Sequence, residues 1–183
     1  VGLGIQLFGS GNLQQAFDLL DRVGTDAENR SQIESRMKLL TDAGFDRFNL
    51  SFGEFFGEDP DTFVEMVNLV GEVLGELDPN AMLTTLIHVG DSEDQKVVYA
   101  DQEMIYYFLA QFADPEIVPW VHTVMFYNLY EDAGGAYHHE EFDEHRDFLQ
   151  ERIRDGLPTA YFPESSYWIA FDNSVPVYLP SYM

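Results

Sequence analysis

The sequence predicts an α/β fold, a (β/α) barrel of TIM type that is incomplete within this segment. Short runs rich in β-branched and aromatic residues alternate with amphipathic stretches of helical period. Most of the short runs are apolar on both parities, the pattern of strands covered on both faces. The runs begin at positions 3, 45, 82, 117 and 159. That spacing leaves room for a helix between each pair, so the strands should be parallel, neighbours in chain order and joined by right-handed crossovers.

The first strand is expected at Leu3–Phe8. Asn12–Val23 reads as a helix with Leu13, Phe17 and Leu20 on one face and Gly24 as its stop. Thr25–Ala43 opens with a Thr25-x-x-Glu28 capping box, carries Ile33, Met37 and Leu40, and stops at Gly44. Phe45–Phe52 is the second strand. Asp59–Leu77 starts on an Asp N-cap with Pro60 at the first helical position, and its stripe runs from Phe63 to Leu77. Met82–Val89 is the third strand, and Asp101–Phe112 reads as a helix through Met104, Ile105, Phe108 and Phe112. Ile117–Tyr127 is a fourth strand, His139–Arg154 a helix ended by Gly156, and Thr159–Phe162 a fifth strand. Val175–Leu179 reads as a sixth, able to pair with Ser166–Phe171 as a hairpin across Asp172-Asn173.

An open doubly wound sheet would carry a glycine-rich phosphate turn after its first strand. Gly9-Ser10-Gly11-Asn12 does not match that turn, which favours the barrel. A complete barrel has eight strands in ~250 residues. With 183 residues, either the barrel is incomplete or its remainder lies outside the segment. The chain opens at Val1 and is strand-like by Leu3, so residues 1–183 read as one barrel-like domain cut from a longer protein.

Hydrophobic residues make up 45% of the chain, enough for a sizeable core. No apolar run reaches the ~20 residues that cross a bilayer, so membrane insertion is not expected. Acidic side chains number 33 against 9 basic, a net charge of −24. Such a surface repels phosphate backbones, which argues against nucleic acid as a partner. A scattered acidic shell suits an exported or extracellular protein in a saline medium, with an acidic cytoplasmic protein as the alternative. The absence of cysteine excludes disulfides, thiolate metal sites and thiol nucleophiles.

In a barrel, functional side chains come from the carboxyl ends of the strands. The sequence places carboxylates and aromatics there. Tyr161-Phe162-Pro163-Glu164-Ser165-Ser166-Tyr167-Trp168 sets a carboxylate just after a strand, beside small residues and two aromatics. Ser51-Phe52-Gly53-Glu54-Phe55-Phe56 and His88-Val89-Gly90-Asp91 repeat the theme. Glycoside hydrolysis needs two carboxyl groups facing each other across a sugar, and sugar rings stack on aromatic faces. The candidate catalytic residues are therefore Glu164, Glu54 and Asp91. The candidate substrate-binding residues are Tyr127, Asn128, Tyr130, Tyr161, Tyr167 and Trp168. No cofactor is expected.

This arrangement resembles the TIM-barrel glycoside hydrolases as a broad group, through its architecture over most of the chain. The resemblance implies a carbohydrate partner and a module that binds or hydrolyses a polysaccharide. It departs from the commonest form, in which an Asn-Glu pair ends the fourth strand: here Asn128 precedes Leu129, and the first acid is Glu131. Two alternatives compete. One is a non-catalytic scaffold or interaction module in an extracellular assembly, with further domains or protein partners and its aromatics as anchors. The other is a metal-dependent hydrolase or isomerase, with His88 and His122 on adjacent strands and Glu54 or Asp91 completing the set. Neither H-x-H nor H-E-x-x-H occurs, and His138, His139 and His145 cluster at a helix start. No G-x-S-x-G elbow or P-loop is present.

Overall fold

The computed structural model describes residues 1–7, 17–21, 23–51, 59–88, 96–123, 129–133, 135 and 139–163. Six parallel strands form one sheet: β1 (Gly2–Gln6), β2 (Phe17–Asp18), β3 (Arg47–Ser51), β4 (Met82–Ile87), β7 (Val118–Thr123) and β8 (Ala160–Pro163). Their order is β2-β1-β3-β4-β7-β8. From β1 to β8 the strands stand beside their neighbours in chain order and run parallel, as the helix-length spacing implied. A short antiparallel hairpin, β5 (Lys96–Tyr99) and β6 (Gln102–Ile105), stands apart from the sheet. Among the described residues the two edge strands, β2 and β8, do not pair with each other.

Three helices, α1 (Asp26–Asp42), α2 (Pro60–Leu77) and α3 (Asp143–Arg154), and a 3₁₀ segment at Tyr106–Phe112 pack beside the sheet. They make a continuous layer. α1 packs on α2, α2 on the 3₁₀ segment, and Phe108 of that segment stands edge-on to Phe148 of α3. The strand register sorts the two faces. Leu3 and Ile5 pair with Phe48 and Leu50, and Phe48 pairs with Leu83. Leu83 reaches the Gly71 surface of α2, so this parity faces the helices. Gly4, Asn49, Thr84, Val118, Trp120, His122 and Phe162 share the opposite parity, which would be the interior of a barrel.

Local chemistry explains the first two helices. Thr25 accepts a hydrogen bond from the Glu28 amide at 3.4 Å, and the Glu28 carboxylate accepts one from the Thr25 amide at 2.9 Å. This is the reciprocal box read from the sequence. Asn29, buried at the start of α1, clamps Gly24 through both its amide and its carbonyl. Gly44 follows α1 with φ +90°, the left-handed geometry that glycine adopts without strain. Asp59 caps α2 by accepting from the Thr62 amide at 3.2 Å, with Pro60 opening the helix. α2 then buries Phe63, Val64, Met66, Val67, Val70, Val73 and Leu74. Each such side chain stabilises the fold by roughly 1.5–3 kcal/mol relative to exposure.

Three expectations are corrected. Asp101–Phe112 is not one helix. Ala100 and Asp101 take positive φ of 51° and 62°, which turns the chain into the β5–β6 hairpin. Residues Gln102–Ile105 are therefore strand, and only Tyr106–Phe112 is helical, as a 3₁₀ segment. Within the proposed helix at Asn12–Val23, Phe17–Asp18 is a strand beside β1, and Leu20 extends the pairing by donating to the Leu7 carbonyl at 2.7 Å. Main-chain pairing outweighs the helical spacing of Phe17 and Leu20. The last helix begins at Asp143, four residues later than its apolar pattern suggested. The strand at Val175–Leu179 and its hairpin partner lie outside the described residues.

Candidate functional site at the carboxyl edge

The carboxyl ends of β4, β7 and β8 bring a row of rings together on the parity opposite to the one that meets α2. His122 is the penultimate residue of β7, and Phe162 holds the same place in β8 opposite it. His88 directly follows β4. The His88 and His122 rings lie 4.5 Å apart, centre to centre. His122 stacks on Phe162 at 5.3 Å, and Trp120, two residues before His122, meets Phe162 at 6.0 Å. His122 is 2% exposed, whereas Phe162 is 41% exposed and Trp120 is half-buried. The row therefore ends in an accessible aromatic surface.

A second pair of histidines joins from the helical layer. His145, in the first turn of α3, donates through Nε2–H to the His88 carbonyl at 3.2 Å. Its ring stands against Phe108 at 5.0 Å, Phe142 at 5.9 Å and His139 at 6.0 Å. The residue is 1% exposed. Tyr107 of the 3₁₀ segment meets His88 at 5.4 Å. Four of the five histidines thus form one chain of contacts through two layers.

Burial sets their charge. It pushes the His122 imidazole down to about 3, and the neighbouring His88 and His145 add to the effect. Burial likewise pushes His145 down to about 4, opposed by its bond to the His88 carbonyl. Both rings are neutral near pH 7. At the carboxyl edge they can donate, accept or stack, and they carry no charge there.

The sequence-derived candidates fall as follows. Glu164, Glu54, Asp91, Tyr127, Asn128, Tyr167 and Trp168 lie outside the described residues. Tyr130 is 74% exposed, receives a hydrogen bond from Gln150 Nε2 at 3.3 Å, and lies under the Arg146 guanidinium. It lines a cavity of about 370 Å³ with Glu131, Asp132, Glu140, Glu141 and Arg146. Tyr161 sits on the helix-facing parity of β8, its hydroxyl 2.8 Å from Thr123 Oγ1. The strand-end aromatics that share the parity of His122 are Phe162 and Trp120, which sequence reasoning did not single out. The parity that His122 sets for β7, carried across the β7–β8 register, is the signal that finds them.

His88 and His122 do come together, as the metal alternative requires. Among the described residues, however, no group of three His, Asp or Glu side chains is arranged to hold a metal ion. No described helix is long and apolar enough to cross a membrane. A cavity of about 840 Å³ opens at the opposite edge, among Asn68, Gly71, Met82, Asp114 and Val118. In a barrel that edge carries stability, not chemistry.

Comparison with known proteins adds no assignment: no family model, curated protein or solved structure matches the chain.

Proposed function

We propose that the chain is the wall of a (β/α) barrel of TIM type and a carbohydrate-active module, glycoside hydrolase-like, that binds or hydrolyses a polysaccharide at the carboxyl edge. The observation that carries the reading is the Trp120–Phe162–His122 row. Its aromatic faces lie on the interior parity at the ends of adjacent parallel strands, where barrels place their ligands. The apolar faces of sugar rings stack on such surfaces, and Phe162 and Trp120 are the accessible members of the row, while His122 is buried. Glu164 is the next residue in sequence after the end of β8, and the hydrolytic version of the proposal assigns it the acid role. An exported protein in a saline medium fits the acidic composition.

Intrinsic fluorescence tests the binding step. The chain has two tryptophans, and one of them, Trp120, belongs to the row. Titration with a panel of neutral oligosaccharides should shift the emission saturably, and Phe162→Ala should weaken binding about tenfold, the order of one lost stacking contact. A panel that leaves both the emission and the thermal stability of the full chain unchanged would leave the scaffold reading in its place.

A further inference from the structure

α3 is anchored lightly: polar contacts hold its two ends, and Phe148, edge-on to Phe108, packs between them. It buries only His145, Phe148 and Arg152, where α2 buries seven residues. Its carboxyl end is pinned. The Arg152 guanidinium, itself buried, donates to the carbonyls of Pro158 at 3.0 Å, Pro115 at 3.2 Å and Ile117 at 3.5 Å. Its amino end is held by His145, through the bond to the His88 carbonyl and the packing against Phe108 and Phe142.

That second anchor depends on one proton. A carbonyl only accepts, so Nε2 carries the hydrogen and the neutral ring leaves Nδ1 bare. Nδ1 is buried, and among the described residues it has no hydrogen-bond partner. Protonation would place a second N–H there, charged, with no acceptor and with apolar rings around it. Such a group is costly to bury. The nearest titratable neighbours give no help inside: His88 and His139 repel a charge on His145, and His139 Nε2 is likewise buried with no partner among the described residues. From β7, His122 adds a further imidazole to the row. The 3₁₀ segment contributes Phe108 to His145 and Tyr107 to His88.

Outside, the same turn offers the opposite environment. A shallow cavity of about 250 Å³ is lined by His139, Glu140, Glu141, Asp143, Glu144 and His145. Asp143 is engaged by Arg146, which also reaches Asp147, while Glu140, Glu141 and Glu144 face solvent. An imidazolium that left the interior would meet these carboxylates.

We propose that α3 is a proton-operated latch on the carboxyl edge. With His145 neutral, the amino end of α3 is closed on the main chain that follows β4. With His145 charged, it swings out about the Arg152-pinned end and the imidazolium joins the acidic turn. The depressed basicity of His145 is the energetic signature of the closed state. The latch regulates the site of the proposed function, because the main chain it releases carries His88 of the interior row. It rests on that reading only for its consequence.

Amide hydrogen exchange on the full chain tests the latch without any glycan, so a failed glycan reading leaves the result interpretable. α3 should open separately, at a lower free energy than α1 and α2. Between pH 6.5 and pH 4.5 its opening constant should rise about fortyfold in all. His145→Gln keeps an amide donor for the His88 carbonyl and cannot take the charge, so opening of α3 in that variant should be flat across the same range. The proposal is overturned if α3 exchanges only together with α1 and α2. It is equally overturned if the wild-type opening does not depend on pH, or if the dependence survives His145→Gln. Should the variant fail to fold, ring resonances of the wild type decide: His145 must titrate well below 6.5 while α3 is closed, and titration near 6.5 without opening ends the idea.

Discussion

His145 on α3 donates a hydrogen bond of 3.2 Å to the main-chain carbonyl of His88, tying the helical layer to the end of β4. In the proposed latch, that bond couples the neutral state of a buried imidazole to the carboxyl edge of the sheet. The His88 ring in turn lies 4.5 Å from His122 of β7.

Stability should fall on mild acidification. The folded pKa values of His122 and His145, about 3 and about 4, lie below the unfolded value near 6.5. The unfolded chain therefore takes up protons first, and stability drops as pH falls from about 6.5 towards these values, then levels off. Each ring removes on the order of 3 kcal/mol over that window, with less than full additivity because the two are neighbours. Urea unfolding at pH 7, 6, 5 and 4 in high salt measures it. A midpoint that does not move would show that neither ring is held neutral by burial.

Salt should stabilise the fold at neutral pH. A net charge of −24 opposes compaction, and salt screens it over a Debye length of ~10 Å at 0.1 M. The melting temperature should climb between low and molar sodium chloride. A flat profile would mean that the acidic groups lie too far apart to repel one another appreciably.

Arg152→Ala should cost about 3 kcal/mol. The buried guanidinium satisfies carbonyls of Pro115, Ile117 and Pro158 that water does not replace. Arg152→Lys should recover little, since an ammonium cannot span three carbonyls as the planar fork does. Chemical denaturation of both variants checks this, and full recovery in the lysine variant would contradict it.

Thr25→Ala should cost about 1 kcal/mol by opening the reciprocal box at the start of α1. Calorimetry of the variant should show a lowered melting temperature with an unchanged unfolding heat capacity. A loss below a few tenths of a kcal/mol would indicate that Asn29 and its clamp on Gly24 alone hold this end.

Glu164→Gln keeps the shape of a side chain and removes its charge. If the module hydrolyses a glycan with Glu164 as the acid, the substitution should cut the rate by orders of magnitude while binding and melting temperature stay nearly the same. Initial rates on the oligosaccharide that binds best decide it, and an unchanged rate removes Glu164 from the acid role.

The sequence by itself determined the parts of this protein that local chemistry controls. The Thr25–Glu28 box, Asp59 with Pro60, and the apolar stripe of α2 each act within a few residues, so spacing alone reports them. Strand spacing likewise fixed the parallel order of β3, β4, β7 and β8, because a helix-length connection returns the chain in the same direction. Only the tertiary structure decided what depends on distant partners. The hairpin at Ala100-Asp101 replaced a helix because Met104 and Ile105 satisfy a short strand and a helical face equally well, and the pairing with Lys96 and Val97 settled the choice. The histidine chain was legible only in part. Adjacent strands foretold His88 beside His122, but nothing in the run His139 to His145 says that a helix start will fold back onto the end of β4. That contact joins positions 57 residues apart, beyond the reach of any local periodicity.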